Sequence, residues 1–517
     1  MVSLRTVRLP RRARAVVPFF LLTWLLGVLW ALATPVMGVP DEPAHVIRAA
    51  SVVRGQVLDR STIEQGGKTV SSARVPETLA WPAVPCYAHH DDRTPACQAA
   101  PRGRGDVLVE VESKAQAYNP LYYGAVGVPT LVAPGESTVY VMRIVTAGLV
   151  AALVALAAVA LVEAPMPRWA LVGLAAALTP MTLFLAGSVN PNAVEIAAAL
   201  ALWATLLSWF SRPDPALDRS RAIRAGVAAT ALVMSRALSP VFLILIVGGS
   251  LLLLESGARE RVWRAGRVVA GIVAALTVAA AAWTVGVGTV STASGVEFPE
   301  YENLHNYLRL MVFSLDDHER EMIGVFGWLD TPAGAHVYSL WIAVLGFLVL
   351  AALAVGGRRV RLLLLGLIAL SVVFPIVVQY PAAPQLGLIW QGRYLLPAMV
   401  GLPLAAGWVL ASSDRWNALM ASGPAFWIPV ATLGVLQAEA YWSGLHRNVI
   451  GAAGDWFGFT PLWQPPLGWI PLTLAYMVVV GVWTAALARL RVSEGVSTAM
   501  RADSGRVSAV PEAHRVP

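Results

Sequence analysis

The sequence predicts an all-α polytopic membrane protein, and three observations carry that prediction. The first is composition: 57% of the 517 residues are hydrophobic and 13% are charged, with a mean hydropathy of +0.64. The second is that apolar runs of about twenty residues recur from end to end, each long enough to cross a bilayer as a helix. Hydrocarbon offers the backbone no hydrogen bonds, so such runs must satisfy their own. The third is the placement of arginine, which assigns the two sides. A soluble chain of this length would divide into about three domains, but no soluble core absorbs so many consecutive apolar segments.

The expected spans lie near 15–37, 138–162, 169–187, 192–210, 222–235, 238–254, 266–289, 337–356, 360–380, 394–412, 424–440 and 468–489, about twelve transmembrane helices. The fifth and sixth are short and flank Ser235–Pro240, which suits a broken or re-entrant pair. Residues 1–14 form a basic N-terminus, 15–490 the membrane domain and 491–517 a polar, disordered tail. The first span is too long for a signal peptide's apolar core and has no evident cleavage site, so it is read as uncleaved.

Arginine crowds the N-terminus, the segment from Arg212 to Arg224, the segment from Arg259 to Arg267, and Arg358, Arg359 and Arg361. With about twelve spans all four clusters fall on one side, the cytoplasm, together with both termini. Most of the net charge of +7 is arginine, and in such a chain it reports topology and membrane lipids rather than nucleic acid. Three large loops then face outward: 38–136, 290–336 and 441–467.

The first outer loop opens with Gly38-Val39-Pro40-Asp41-Glu42-Pro43-Ala44-His45. The two prolines stop one helix and start another. A short juxtamembrane helix follows, with Val46, Ala49, Ala50 and Val53 on one side and Asp41, His45 and Arg48 near another. Asp41 also suits a plainer role as the helix cap, with Glu42 as a first-turn acid. The same loop holds Cys86 and Cys97, the only cysteines. A disulfide fits an oxidising compartment, and two separate thiols are the alternative. His89, His90, Asp91 and Asp92 between them read as a solvated loop tip, because adjacent residues rarely converge on one ion.

Further polar residues sit at the outer ends of spans: Arg143, Arg236, Arg393, and the turn Ser188-Val189-Asn190-Pro191-Asn192 with Glu195 beyond it. A single arginine there can snorkel to headgroups. Three arginines on the same face as an Asp-Glu pair point instead to a cavity, since a charge in hydrocarbon needs a partner. Guanidinium groups bind phosphate through paired, charge-assisted hydrogen bonds, which suits a phosphorylated lipid. Asp41, Glu42 and Arg393 are therefore expected to line one outward-facing cavity.

These residues resemble the GT-C superfamily of integral-membrane glycosyltransferases, with an acidic pair just after the first span in a large outer loop. More closely, five motifs resemble a bacterial multi-pass membrane family catalogued only as a domain of unknown function. They are Pro40-Asp41-Glu42-Pro43-Ala44-His45 with Arg48; Tyr118-Asn119-Pro120 with Tyr122-Tyr123; Ser188 with Asn190-Pro191-Asn192; Gly324 to Thr331; and Gly392-Arg393-Tyr394 with Pro397. The resemblance extends over about 15–490. It implies a polyprenyl-phosphate sugar donor, a glycan, lipid or protein acceptor, and transfer on the outer face of the bacterial plasma membrane. Carried over, Asp41 is the candidate base, Glu42 orients the acceptor or supports Asp41, Arg393 is the candidate contact for the donor phosphate, and Tyr394 is its neighbour in the wall. His45, Arg48, Tyr122, Arg143, Asn190 and Arg236 are further candidate substrate contacts. Some GT-C members use a divalent cation; here the local ligands are few, and a site without a metal or other cofactor is expected. A lipid or solute transporter, or a non-catalytic membrane partner in envelope assembly, is the alternative class. Against a common transporter, the largest loop is the first and follows a single span.

Overall fold

The computed structural model describes residues 11–58, 61–65, 68–163, 167–287, 298–420, 423–456 and 458–489. The expected disordered tail at 491–517 and most of the basic N-terminus lie outside the described residues. The chain enters through α1 (Arg11–Ala33), turns, and forms α2 (Glu42–Val52). A small antiparallel sheet follows, β1 (Thr62–Gln65), β2 (Lys68–Pro76) and β3 (Leu108–Glu112), with β2 in the centre. The chain returns to the bundle through α3 (Pro120–Gly127) and α4 (Glu136–Leu161). Next come α5 (Pro167–Ala177), α6 (Pro180–Ala186), α7 (Pro191–Ser211), α8 (Asp218–Val233), α9 (Ser239–Leu251) and α10 (Arg259–Val287).

The segment from Phe298 to Gly334 carries α11 (Leu304–Phe313), α12 (Leu315–Gly324) and the two-residue strands β4 (Val325–Phe326) and β5 (Thr331–Pro332). Helices α13 (Ala335–Val355) and α14 (Arg358–Gln379) form a pair. A short α15 (Ala383–Leu386) and a 3₁₀ turn, Gly392–Leu395, lead into α16 (Leu396–Met399) and α17 (Gly401–Ser412). The chain closes with α18 (Asp414–Leu419), α19 (Gly423–Ile450) and α20 (Trp469–Arg489).

Each expected span coincides with helix over most of its described residues, though fewer than the expected twelve qualify as crossings by length and composition. Among the described residues, seven helices are long and apolar enough to cross a membrane, or eight if a bent pair counts as one span. A bend that the sequence does not suggest divides the third expected span. It lies between α5 and α6, which meet at 67°, because Pro180 starts a new helix that Thr179 caps. Helices α8 and α9 are separate and pack on α7. Helix α7 is the spine of the bundle, with Pro191 to Phe210 all buried. Against it pack α4, α8, α9 and α17. Helices α5 and α17 approach at glycines: a Cβ on Gly407 would stand 2.9 Å from the Cα of Gly173. In a bilayer such close backbone contact replaces the hydrophobic drive that lipid does not supply.

The juxtamembrane helix departs from the amphipathic expectation. From Glu42 to Val52 every residue of α2 except Ala44 is buried, because α3 covers one flank and β2 another. Its polar residues therefore face protein, and each has to be matched there.

Candidate active site

The turn between α1 and α2 sets the site. Its backbone is held from below by Arg143 on α4, which donates to the carbonyls of Ala31 (2.9 Å), Thr34 (2.6 Å) and Pro35 (2.8 Å). These are the acceptors a helix C-terminus leaves unpaired. The same guanidinium forms a two-bond ion pair with Glu42: Nε to Oε1 at 2.8 Å and Nη2 to Oε2 at 2.5 Å. Both side chains are 0% exposed. Glu42 Oε1 also accepts from the backbone N–H of Val189 (2.9 Å), which ties in the turn before α7. Glu42 thus faces inward and Arg143 faces Glu42; neither opens onto a cavity.

Asp41 points the other way. Its backbone is left-handed, with φ 67° and ψ −6°, a conformation uncommon outside glycine, asparagine and aspartate. Consecutive carboxylates are thereby sent to opposite sides. Asp41 stands at the N-terminus of α2, yet its side chain makes no capping hydrogen bond. It accepts instead from Arg393 Nη2 at 2.9 Å, across 352 residues of sequence. Arg393 is 2% exposed while Asp41 keeps 55% of its side-chain surface open. Arg393 Nε is fixed by Gln391 Oε1 at 2.7 Å. The backbone N–H of Gly392 donates to Glu321 on α12 at 2.5 Å, so the second outer loop holds the arginine turn. Gly392 sits against the His318 carbonyl, where any side chain would collide.

A line of charge continues from this pair. The Arg393 guanidinium lies 5.3 Å from the centre of the Tyr394 ring, and Arg236, from the α8–α9 turn, lies 4.6 Å from the same ring. Arg236 approaches Glu195 at 3.7 Å. Glu195 also accepts from Asn192 Nδ2 (3.0 Å) and Ser239 Oγ (2.7 Å). Burial alone would raise the Asp41 carboxyl. Arg393, His45 and Arg236 together outweigh it and hold its pKa below the usual carboxylate value. Burial pushes His45 down to about 3; Asp41 opposes this and the two arginines reinforce it. His45 is therefore neutral near pH 7, and the arginines alone then compensate Asp41. His45 Nδ1 shares a 2.8 Å hydrogen bond with the Tyr123 hydroxyl.

The structure thus gathers Asp41, His45, Arg236, Arg393 and Tyr394, and separates them from the remaining candidates. Arg48 donates to the carbonyls of Gln56 (3.0 Å), Val57 (3.1 Å) and Tyr118 (3.0 Å), clamping the loop that follows α2. Tyr122 is hydrogen-bonded to Thr146 at 2.9 Å and buried. Asn190 caps α7 through the N–H of Asn192 (2.9 Å). These three shape the frame and touch no open space.

Two cavities adjoin the pair. One, of about 390 Å³, is lined by Asp41 and His45 with Tyr118, Trp81 and Trp328. The other, of about 280 Å³, is largely apolar and runs between α13, α14 and α17, beside the arginine turn at Gly392 and Leu395. Neither of these two cavities is lined by Glu42 or Arg393; Arg393 reaches the first through Asp41. Trp81, Glu321 and Gln391 were not singled out by chemistry in the sequence. Gln391 stands next to the Gly392-Arg393-Tyr394 motif, which could have drawn attention to it; Trp81 and Glu321 carry no local signal.

Cys86 and Cys97 are bonded, with Cα atoms 6.2 Å apart. Arg447 on α19 pins the loop they close through the carbonyls of Tyr87 (2.8 Å), His90 (2.8 Å) and Arg93 (2.6 Å). His89 donates its N–H to Asp330 (2.9 Å), and its ring meets the edge of Trp328 at 5.8 Å. Among the described residues no group of three or more His, Cys, Asp or Glu is arranged to hold a metal.

Residues 23–402 match the family model DUF2142, described as a predicted membrane protein. The chain belongs to the DUF2142 family. All five motifs quoted from the sequence fall inside the matched region. No curated protein matches the chain. Among solved structures, two of ArnT from Cupriavidus metallidurans are similar, one bound to undecaprenyl phosphate and one in the apo state. Each is 15% identical, with a TM-score of 0.42, covering 97% of this chain and 81% of that one. A likeness of that size carries no functional weight, and the function of this DUF2142 protein has to be argued from its own side chains.

Proposed function

We propose that this protein transfers a sugar from a polyprenyl-phosphate donor to a cell-envelope acceptor on the outer face of the bacterial plasma membrane. The observation that carries the reading is the Asp41–Arg393 pair, a reachable carboxylate bonded to a buried guanidinium, flanked by a second guanidinium. The acceptor hydroxyl gives its proton to Asp41 as its oxygen bonds the anomeric carbon. The bond from that carbon to the phosphate oxygen breaks, and its electron pair stays on the phosphate. Arg393 and Arg236 receive the charge that develops there. The donor phosphate competes with Asp41 for Arg393, so donor arrival also frees the base. The apolar cavity beside the arginine turn, with Trp390, Leu395 and Met399 in its wall, suits the isoprenoid chain.

The residues do not fit a divalent cation. A hard cation takes several oxygen ligands, but Glu42 is committed to Arg143 and Asp41 to Arg393. The reading is therefore metal-free. Glu42 and Arg143 act in it as positioning residues that fix the turn bearing Asp41. Sidedness is supported by the bundle itself. The arginines assigned to the cytoplasm meet at the far end of α7, where Arg221 pairs with Glu163 and donates to the Arg212 carbonyl. The turn before α7, beside the site, lies the length of its 21 residues away, about 30 Å.

The test is consumption of a labelled polyprenyl-phosphate sugar by the purified protein supplied with an envelope extract. Sugar should leave the lipid and appear on a new product. A donor that binds but stays intact under every acceptor fraction would sink the proposal.

A further inference from the structure

The two cavities beside Asp41 differ in what walls them. The apolar one is built mainly from helices that cross the membrane. The other is not: every residue lining it lies between Asp41 and Tyr118, apart from Trp328. Its walls are α2, the segments around β1 and β3, and two outer-loop tryptophans. It therefore opens to water and to the outer loops, and a membrane-embedded chain has no wall to lie against.

Its side chains have a particular chemistry. Trp328 presents a ring rather than a donor, since its indole N–H is already given to the Met37 carbonyl at 3.1 Å. That bond and the edge of His89 hold the ring rigidly in place. Trp81 adds a second indole to the wall. Tyr118 adds a third aromatic wall, and Glu112 and Lys114 stand on the β3 side. Sugar rings offer what this combination takes: apolar C–H faces for the indoles and a ring of hydroxyls for the polar groups. A lipid tail offers only the first. A peptide would use the backbone of a sheet edge and leave the indoles without purpose.

We infer that this cavity receives the terminal sugar units of a water-borne glycan, seated on Trp328 with its hydroxyls toward Glu112 and Lys114. If the proposed transfer is correct, that glycan is the acceptor and its hydroxyl meets Asp41. The word acceptor rests on that reading, while the binding itself does not.

The experiment measures binding without turnover. Purified full-length protein in detergent is titrated with soluble hexasaccharides of arabinose, mannose, glucose and galactose, read by saturation-transfer NMR and calorimetry. At least one should bind saturably to wild type. Glu112→Ala and Trp328→Ala should each weaken it about tenfold. Polyprenyl phosphate should still bind both variants, which shows them folded. The inference is overturned if no hexasaccharide binds while polyprenyl phosphate does, or if a Ser/Thr-containing peptide binds in their place. It is also overturned if Trp328→Ala binds sugar as well as wild type. Failure of the donor-consumption assay alongside intact sugar binding would remove the transfer reading and leave this one standing.

Discussion

Replacing Glu42 by Gln keeps the shape of the side chain and removes its charge. The fold then has to keep the Arg143 guanidinium buried without its counter-ion. With the amide oxygen at the Oε1 position, the bonds from Arg143 Nε and the Val189 N–H survive. The amide nitrogen then faces Arg143 Nη2, donor against donor, where a 2.5 Å ion-pair contact stood. Both groups are 0% exposed, so water cannot make up the loss. Breaking such a buried pair from one side costs about 3–5 kcal/mol. The three carbonyls that Arg143 also serves hold the guanidinium in place, which argues for the lower end. Against a typical total stability of about 5–15 kcal/mol, that is a large share. Denaturant unfolding of the purified protein should read it. Glu42→Leu combined with Arg143→Met should cost less than the two single changes added together, because no charge is left unpaired. Full stability in Glu42→Gln, or strict additivity in the double variant, would refute the view that this pair holds the turn.

Arg393→Lys should weaken polyprenyl-phosphate binding, because an ammonium cannot keep Gln391 and Asp41 while also meeting a phosphate in paired geometry; calorimetric titration with polyprenyl phosphate checks it, and unchanged affinity would count against a phosphate role. The buried His45 binds its proton only at about pH 3 when folded, against about 6.5 unfolded. The unfolded state therefore holds more protons between those values, and stability should fall as pH falls through that window; His45→Gln should flatten the dependence in pH-dependent denaturation. Asp41 carries a depressed pKa when folded, so its share of stability is present above the ordinary carboxylate range and is lost as pH falls through its lower folded value; Asp41→Asn should remove that acid limb. Cutting the disulfide by Cys86→Ser with Cys97→Ser should raise hydrogen exchange across residues 87–96 and at Trp328, while exchange in α7 stays unchanged.

Much of the architecture was legible because bilayer physics writes it in long strokes. The apolar runs are helical over most of their described residues, and Pro43 does stand in the first turn of α2, but α1 already ends at Ala33, well before Pro40. The meeting of Asp41 with Arg393 was legible too, since each is an ionisable group at the outer end of a span and requires a partner. The parting of Asp41 from Glu42 was not. It depends on one left-handed residue, a backbone property that no side-chain pattern announces. For the same reason Arg143 looked like a substrate contact and is the partner of Glu42. The burial of α2 was hidden because an amphipathic pattern does not say that the sheet will cover its polar face. Trp81 was hidden among 19 tryptophans, a residue type that suits membrane interfaces as well as binding sites.

The central claim is that Asp41 takes the acceptor proton in a transfer from a phosphate-linked lipid. Its most direct test is a single-turnover assay of purified wild type and Asp41→Asn, each loaded with labelled polyprenyl-phosphate sugar and mixed with envelope glycan. The account predicts product from wild type and a rate lower by about 10²–10⁴ in the variant, with donor binding retained. Equal product formation by the two proteins would contradict it.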